Sequence, residues 1–297
     1  MSSLTLTAGD YRAEISALGG GVRAFYHRDQ PLVTEYPVGG APIHSGGIWL
    51  APWPNRTADG RYIHRGELYH LDLTEPERDN AIHGFVGNQA WESEHNGTSL
   101  TLTLSDTPHN GYPWPLDHSV TWRLDAEDGL SATYTVINRA EDPAPFGLGF
   151  HPYLRAGTEA LDNCELRLDV DAVLPLDPGR NLPAGPLSTP AEAGVPDFHS
   201  SAPMRDVWLD HAVRIGAAGF DAELRPTNGG TGVRLRADGS FTWAQIYTDP
   251  DSPGIGRVVA VEPMTCPPDA LRSGTDLIIL EPGERRDFHL TLSILSL

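Results

Sequence analysis

Apolar and polar residues alternate with a period of two along much of the chain. Residues 99–104 (Ser-Leu-Thr-Leu-Thr-Leu) put every Leu on one face, and residues 119–124, 131–137, 232–235 and 288–294 repeat the device. Each of these runs predicts a strand with one buried face. No stretch longer than about ten residues sustains an apolar period of 3.6, so long amphipathic helices are not expected. The 31 Gly and 26 Pro are spread evenly and punctuate short runs, as turns between many strands do. Residues 177–203, rich in Pro, Gly, Ala and Ser, read as a long surface excursion. Strand-like patterns flank that segment on both sides, so it is not a linker, and no internal repeat is evident. The expectation is an all-β protein: one large antiparallel β-sandwich with few short helices, formed by residues 1–297 as a single domain.

Composition narrows the chemistry. All 21 basic residues are Arg and Lys is absent, against 40 Asp and Glu, giving a net charge of −19. Lysine Schiff bases, P-loop lysines and the kinase strand lysine are therefore excluded. The acidic field also disfavours nucleic acid, whose phosphates require a basic face. Cys164 and Cys266 lie far apart without metal-ligand or redox spacing and read as reduced thiols. The first residues show no secretory pattern, and no run reaches the ~18 apolar residues of a membrane span. A soluble cytoplasmic protein is expected.

Three segments carry candidate chemistry. In Ala51-Pro52-Trp53-Pro54-Asn55-Arg56, two prolines and a following Gly60 fix the backbone around an Asn-Arg pair. Trp53 offers a flat wall of the kind on which sugars stack, while planar Asn and Arg groups bridge hydroxyls. A Pro-rich turn whose Arg caps a carbonyl is the structural alternative. In Asn80-Ala81-Ile82-His83-Gly84-Phe85, Gly84 allows close approach of the backbone beside His83, with Trp91 again nearby. Here a loop histidine satisfied by a carbonyl is the alternative. In Gly147-Leu148-Gly149-Phe150-His151-Pro152-Tyr153, a His leaves an apolar run and is held extended by the following Pro. Val258-Val259-Ala260-Val261-Glu262-Pro263 repeats this device with a carboxylate, which is costly to bury without purpose. Desolvation raises such a carboxyl toward the range useful to a base.

Taken in order, these motifs resemble the aldose 1-epimerase (galactose mutarotase) family. They are Asn55-Arg56 with Gly60, His83-Gly84 with Trp91, His151-Pro152-Tyr153, Asp210 in Leu209-Asp210-His211, Gln245 in Gln245-Ile246-Tyr247-Thr248, and Glu262-Pro263-Met264 with Pro267-Pro268-Asp269-Ala270. The resemblance implies a large antiparallel sandwich with a sugar in an open cleft. It also implies an acid–base reaction without cofactor or metal: Glu262 takes the anomeric proton, His151 protonates the ring oxygen, and the ring opens and recloses. Arg56, His83, Asp210, Gln245 and Asn55 would hold hydroxyls of a monosaccharide substrate. For Asp210 and Gln245, a turn cap and a solvent-facing side chain remain the structural alternatives.

Two departures bear on the substrate. Phe85 stands where galactose mutarotases carry a second glycine, as in hexose-6-phosphate epimerases or other bacterial branches of the family. Gly87 stands where the phosphate-sugar branch usually has an Arg. With no Lys and a net −19 field, an unphosphorylated aldose is expected. A hexose 6-phosphate would need an Arg from elsewhere, with Arg61, Arg78 and Arg257 as candidates. A non-catalytic sugar-binding module on the same fold is the alternative of another class. A metal hydrolase lacks the short ligand spacing, and a glycosidase would have to pair Glu262 with Asp210.

Overall fold

The computed structural model describes residues 4–252 and 255–295 of the chain. Two antiparallel sheets form its body. The larger has nine strands, in the order Glu92–Asn96, Ser99–Asp106, Leu116–Asp125, Gly129–Asn138, Arg285–Leu295, Gly232–Ala237, Asp221–Pro226, Cys164–Arg167 and Ala202–Pro203. All five alternating runs of the sequence lie in this sheet. Leu100, Leu102, Val120, Trp122, Ala132, Tyr134, Leu235 and Leu290 point inward, while the intervening polar residues face out.

The second sheet has seven strands: Val170–Leu174, Asp210–Ile215, Trp243–Ser252, Gly256–Met264, Gly149–Phe150 and Trp49–Leu50, with Tyr153–Leu154 also paired to Gly256–Met264. Its inner face packs on the larger sheet through large aromatics. The rings of Trp49 and Tyr134 lie 4.8 Å apart, and those of Trp122 and Phe150 5.9 Å apart. Val259, Val261, Ile246 and Val213 complete the same core. Burying each such side chain stabilises the fold by roughly 1.5–3 kcal/mol. The other face is buried too along Gly256–Met264, at Val258, Ala260 and Glu262, and Arg56–Ala58 with Asn80–Ile82 form a small antiparallel pair of their own. Burial on both faces explains why Val258 to Val261 reads as a continuous apolar run and not an alternating one.

Among the described residues the α-helices are Pro190–Ala193 and Ala270–Ser273, and no helix is long and apolar enough to cross a membrane. Residues 177–203 depart from the expected surface excursion. Leu182, Val195 and Phe198 are buried, Thr189 and Glu192 close a capping box on Pro190–Ala193, and Ala202–Pro203 joins the nine-stranded sheet. The segment returns to the body of the protein because three apolar anchors are spaced along it.

Candidate active site

Strand register assembles the site. Gly149 pairs with Met264 and Tyr153 with Ala260 on the same antiparallel strand, which sets His151 opposite Glu262 where the pairing is interrupted. Gln245 pairs directly with Glu262 from the other side, and Tyr247 with Ala260. Asp210 pairs with Tyr247, one strand further on, and is thus the diagonal neighbour of Gln245. Because side chains alternate across a strand, Tyr153, His151, Glu262, Gln245, Tyr247 and Asp210 share the outer face of the seven-stranded sheet. Pro152 and Pro263 each remove a backbone donor where the pairing breaks.

These residues line a cavity of about 480 Å³, together with His44, Ser45, Asn55, Arg56, Glu75, Glu77, Arg78, Ile82 and His83. All seven residues singled out from the sequence therefore meet in one place. On its floor His151 Nε2 lies 3.3 Å from Glu262 Oε1, with the two residues only 5% and 2% exposed. His151 Nδ1 and Glu262 Oε2 are buried without a hydrogen-bond partner. Burial pushes the Glu262 carboxyl well above its ordinary range, with Asp210 adding to the rise and Arg56 opposing it. Burial also pulls the His151 imidazole down to about 4. Both groups are thus driven toward their neutral forms, with the proton of the pair on Glu262.

A polar chain fixes the wall beside this pair. Asn55 Nδ2 donates to Gln245 Oε1 at 3.2 Å, Gln245 Nε2 donates to Asp210 Oδ1 at 2.6 Å, and Asn181 Nδ2 donates to Asp210 Oδ2. Gln245 is buried and does not sit on a solvent face, and Asp210 begins a strand and does not cap a turn. His83 Nδ1 accepts from the backbone N–H of Asn55 at 3.2 Å. Burial, then the nearby His151 and Arg56, hold this ring well below its usual pKa, so it is neutral and its Nε2–H is a donor. Its backbone has φ +66°, and Gly84 follows at +63° with the Ala51 carbonyl oxygen 2.0 Å from where a Cβ would stand. Gly84 is therefore required for the strand at Ala51 to approach the ring.

Arg56 is clamped. Its Nε and Nη2 donate to the two carboxylate oxygens of Glu75 at 2.8 and 2.9 Å, and Asn80 Nδ2 donates to Glu75 as well, at 2.8 Å. Burial opposes both charges, but the fork outweighs it: Glu75 sits below the ordinary carboxylate range and Arg56 above its own. The fork leaves Nη1 for a ligand.

The sequence reading missed Glu75, Asn181, His44 and Tyr247 as parts of the site. Glu75-Pro76 repeats the titratable-residue-then-Pro device of His151-Pro152 and Glu262-Pro263, a signal already present. Asn181 lies within the Pro- and Gly-rich excursion and carries no comparable signal. One expectation is corrected. Trp53 and Trp91 are 3% and 4% exposed, in the core: Trp53 packs edge-on to Phe85 at 5.0 Å, and Trp91 donates to the Val86 carbonyl, so neither offers a wall to a sugar. Gly87 is buried, with Ile48 Cδ1 2.4 Å from where its Cβ would stand. Any side chain here would press on the end of the Ile48 side chain. Of the three alternative cations only Arg78 lines the cavity; Arg257 is spent on the Val207 and Met204 carbonyls and on Asp162.

Known proteins resemble this chain in sequence and in fold. The uncharacterized protein YihR of Escherichia coli K12 is 32% identical over 283 residues, spanning 95% of this chain and 90% of that protein. A putative aldose 1-epimerase from the same organism has the same fold, with a TM-score of 0.84 at 23% identity, over 100% of this chain and 99% of its own. The GalM/aldose epimerase homologue of C. elegans superposes with a TM-score of 0.86 at 15% identity, over 99% and 98% of the two chains. A sequence profile described as aldose 1-epimerase matches residues 2–293, nearly the whole length over which these strands and the cavity are built. The chain belongs to the aldose 1-epimerase family.

Proposed function

We propose that the protein interconverts the α and β anomers of an unphosphorylated aldose. The observation that carries this reading is the buried Glu262–His151 contact at 3.3 Å, with one unpartnered polar atom on each residue. The pair holds one proton. A sugar hydroxyl donating to Glu262 Oε2, with Arg56 beside it, favours the carboxylate and passes that proton across to His151. Glu262 then accepts the proton of the C1 hydroxyl while His151 gives its proton to the ring oxygen. The C1–O5 bond breaks and C1 becomes an aldehyde. After rotation about C1–C2, the O5 hydroxyl adds to the other face of the carbonyl, His151 recovers its proton from O5, and Glu262 returns its proton to O1. Acid, base and charge balance are restored without a cofactor. Arg56 Nη1 and His83 Nε2–H are donors for oxygens that gain charge on the way, and Asp210 and Gln245, set by Asn55 and Asn181, hold further hydroxyls.

An unphosphorylated sugar is favoured because Glu75, Glu77, Asp210 and Glu262 line the cavity against two arginines, one of them already forked to Glu75. One observation favours the second reading, a hexose 6-phosphate: Arg78 lines the same cavity, and its Nη1 is buried without a partner. Polarimetry on freshly dissolved α-glucose, α-galactose and their 6-phosphates decides between them. Faster exchange of a free aldose than in buffer is expected, and a tenfold or greater preference for the phosphorylated sugar would replace that substrate. Calorimetric binding without any anomer exchange would make the protein a sugar-binding module instead. In a structure with bound monosaccharide, Glu262 is expected at the anomeric oxygen and His151 at the ring oxygen.

A further inference from the structure

At the mouth of the cavity stands a histidine that no motif of the sequence marks out. His44 lines the cavity, and its Nδ1 lies 2.6 Å from Asp249 Oδ2. The two side chains differ sharply in exposure, 58% for His44 against 4% for Asp249. An exposed imidazole is therefore oriented from behind by a buried carboxylate. Since the carboxylate accepts, Nδ1 carries a hydrogen, and Nε2 is the ring nitrogen left for the cavity.

The backbone beneath it is built to hold this position. His44 and Ser45 have φ of +45° and +60° in the turn Ile43–Ser45, a conformation that side-chain-bearing residues adopt at a cost. The turn is tied to the acid–base segment: Tyr153 Oη donates to the His44 carbonyl at 3.3 Å, and the Gly47 N–H donates to the His151 carbonyl at 2.7 Å. A displacement of His151 and a displacement of His44 are thus coupled through two hydrogen bonds.

The cavity's balance of donors and acceptors shows what this group supplies. Arg56 Nη1, Arg78 Nη1 and His83 Nε2–H are donors. The cavity's acceptors are the carboxylates of Glu262, Asp210, Glu75 and Glu77, of which Glu75 is forked to Arg56 and each Asp210 oxygen already receives one side-chain N–H. A pyranose brings several hydroxyls, each of which must donate as well as accept. We propose that His44, oriented by Asp249, is a further substrate-binding residue, whose Nε2 makes a hydrogen bond to one hydroxyl of the aldose. This rests on the reading of the cavity as an aldose site.

The test compares wild type with His44→Phe, which keeps a ring of similar size but no nitrogen, and with His44→Gln, which returns a hydrogen-bonding group. Anomer exchange and calorimetric affinity are measured across an aldose and its monodeoxy analogues. His44→Phe is expected to raise KM about tenfold with kcat within about threefold, and His44→Gln to recover most of the loss. Wild type is expected to penalise removal of one particular hydroxyl to which His44→Phe is indifferent, a signature that a merely structural role would not produce. Unchanged KM with an unchanged deoxy profile overturns the assignment, as does a parallel fall of kcat, affinity and thermal stability. Glu262→Gln run alongside separates the two claims. Exchange lost in Glu262→Gln with His44→Phe like wild type removes only the role of His44. Binding without exchange in wild type removes only the epimerase reading, and the affinity arm still decides His44. An aldose neither bound nor exchanged removes both.

Discussion

Glu262 and His151 work as a unit that carries one proton, so their titration belongs to the pair. A second proton enters on His151 only near about 4, and the pair loses its last proton well above the usual glutamate range. The log of kcat/KM against pH is therefore expected to be a broad bell, with an acid limb near about 4 and its alkaline limb far from the ordinary glutamate value. An alkaline limb near an ordinary glutamate value would contradict this. A second prediction concerns the clamp on Arg56. Glu75→Gln keeps the shape of that side chain but removes the charge that holds the guanidinium, and steady-state kinetics is expected to show KM raised about tenfold. At this scale the sequence was informative where a titratable residue closing a run preceded a proline, as at His151, Glu262 and, unnoticed, Glu75, although the same pair at Asp142, Asp177 and Glu281 lies outside the site. The indole walls were misjudged because proximity in sequence says nothing about which side of a strand a tryptophan occupies.

The elements that build the site are short, and their register does the positioning. Gly149–Phe150 and Tyr153–Leu154 flank His151 on one strand, so two short pairings set the ring opposite Glu262. Gly84→Ala is expected to cost at least about 2 kcal/mol in denaturant unfolding, since φ is positive and the Ala51 oxygen occupies the space. It also displaces His83, so activity falls further than stability alone accounts for. Asn181→Ala removes a donor from Asp210 and is expected to raise KM severalfold in steady-state kinetics, although Asn181 sits on the Pro-rich excursion far from the other motifs in sequence. Strands of the nine-stranded sheet were legible because one face is wet and the residues alternate. Those of the seven-stranded sheet were visible mainly as apolar runs ending in chemistry, because both of their faces are covered. The excursion was misread because three buried anchors, Leu182, Val195 and Phe198, are diluted among turn residues.

Over the whole molecule, the sandwich buries imidazoles as well as hydrocarbon. His118 lies inside the nine-stranded sheet with Nδ1 2.8 Å from Tyr134 Oη, and burial holds it at about 4. A depressed pKa contributes stability above the unfolded value of 6.5 that is lost as pH falls toward 4. In that window the unfolded chain binds a proton that folded His118 refuses. Stability is therefore expected to drop between pH 7 and pH 5 by about 2 kcal/mol through His118, and His118→Gln to remove that drop. The same enclosure keeps Glu262 and His151 dry at the base of an otherwise open, acidic cavity. The most direct test of the account is exchange NMR between the α and β anomers of a common aldose, with wild type and Glu262→Gln at equal concentration. Exchange well above buffer is expected for wild type, falling by about 10²–10⁴-fold in Glu262→Gln with the fold intact. Equal rates in the two proteins, or no aldose exchanged faster than in buffer, would contradict it.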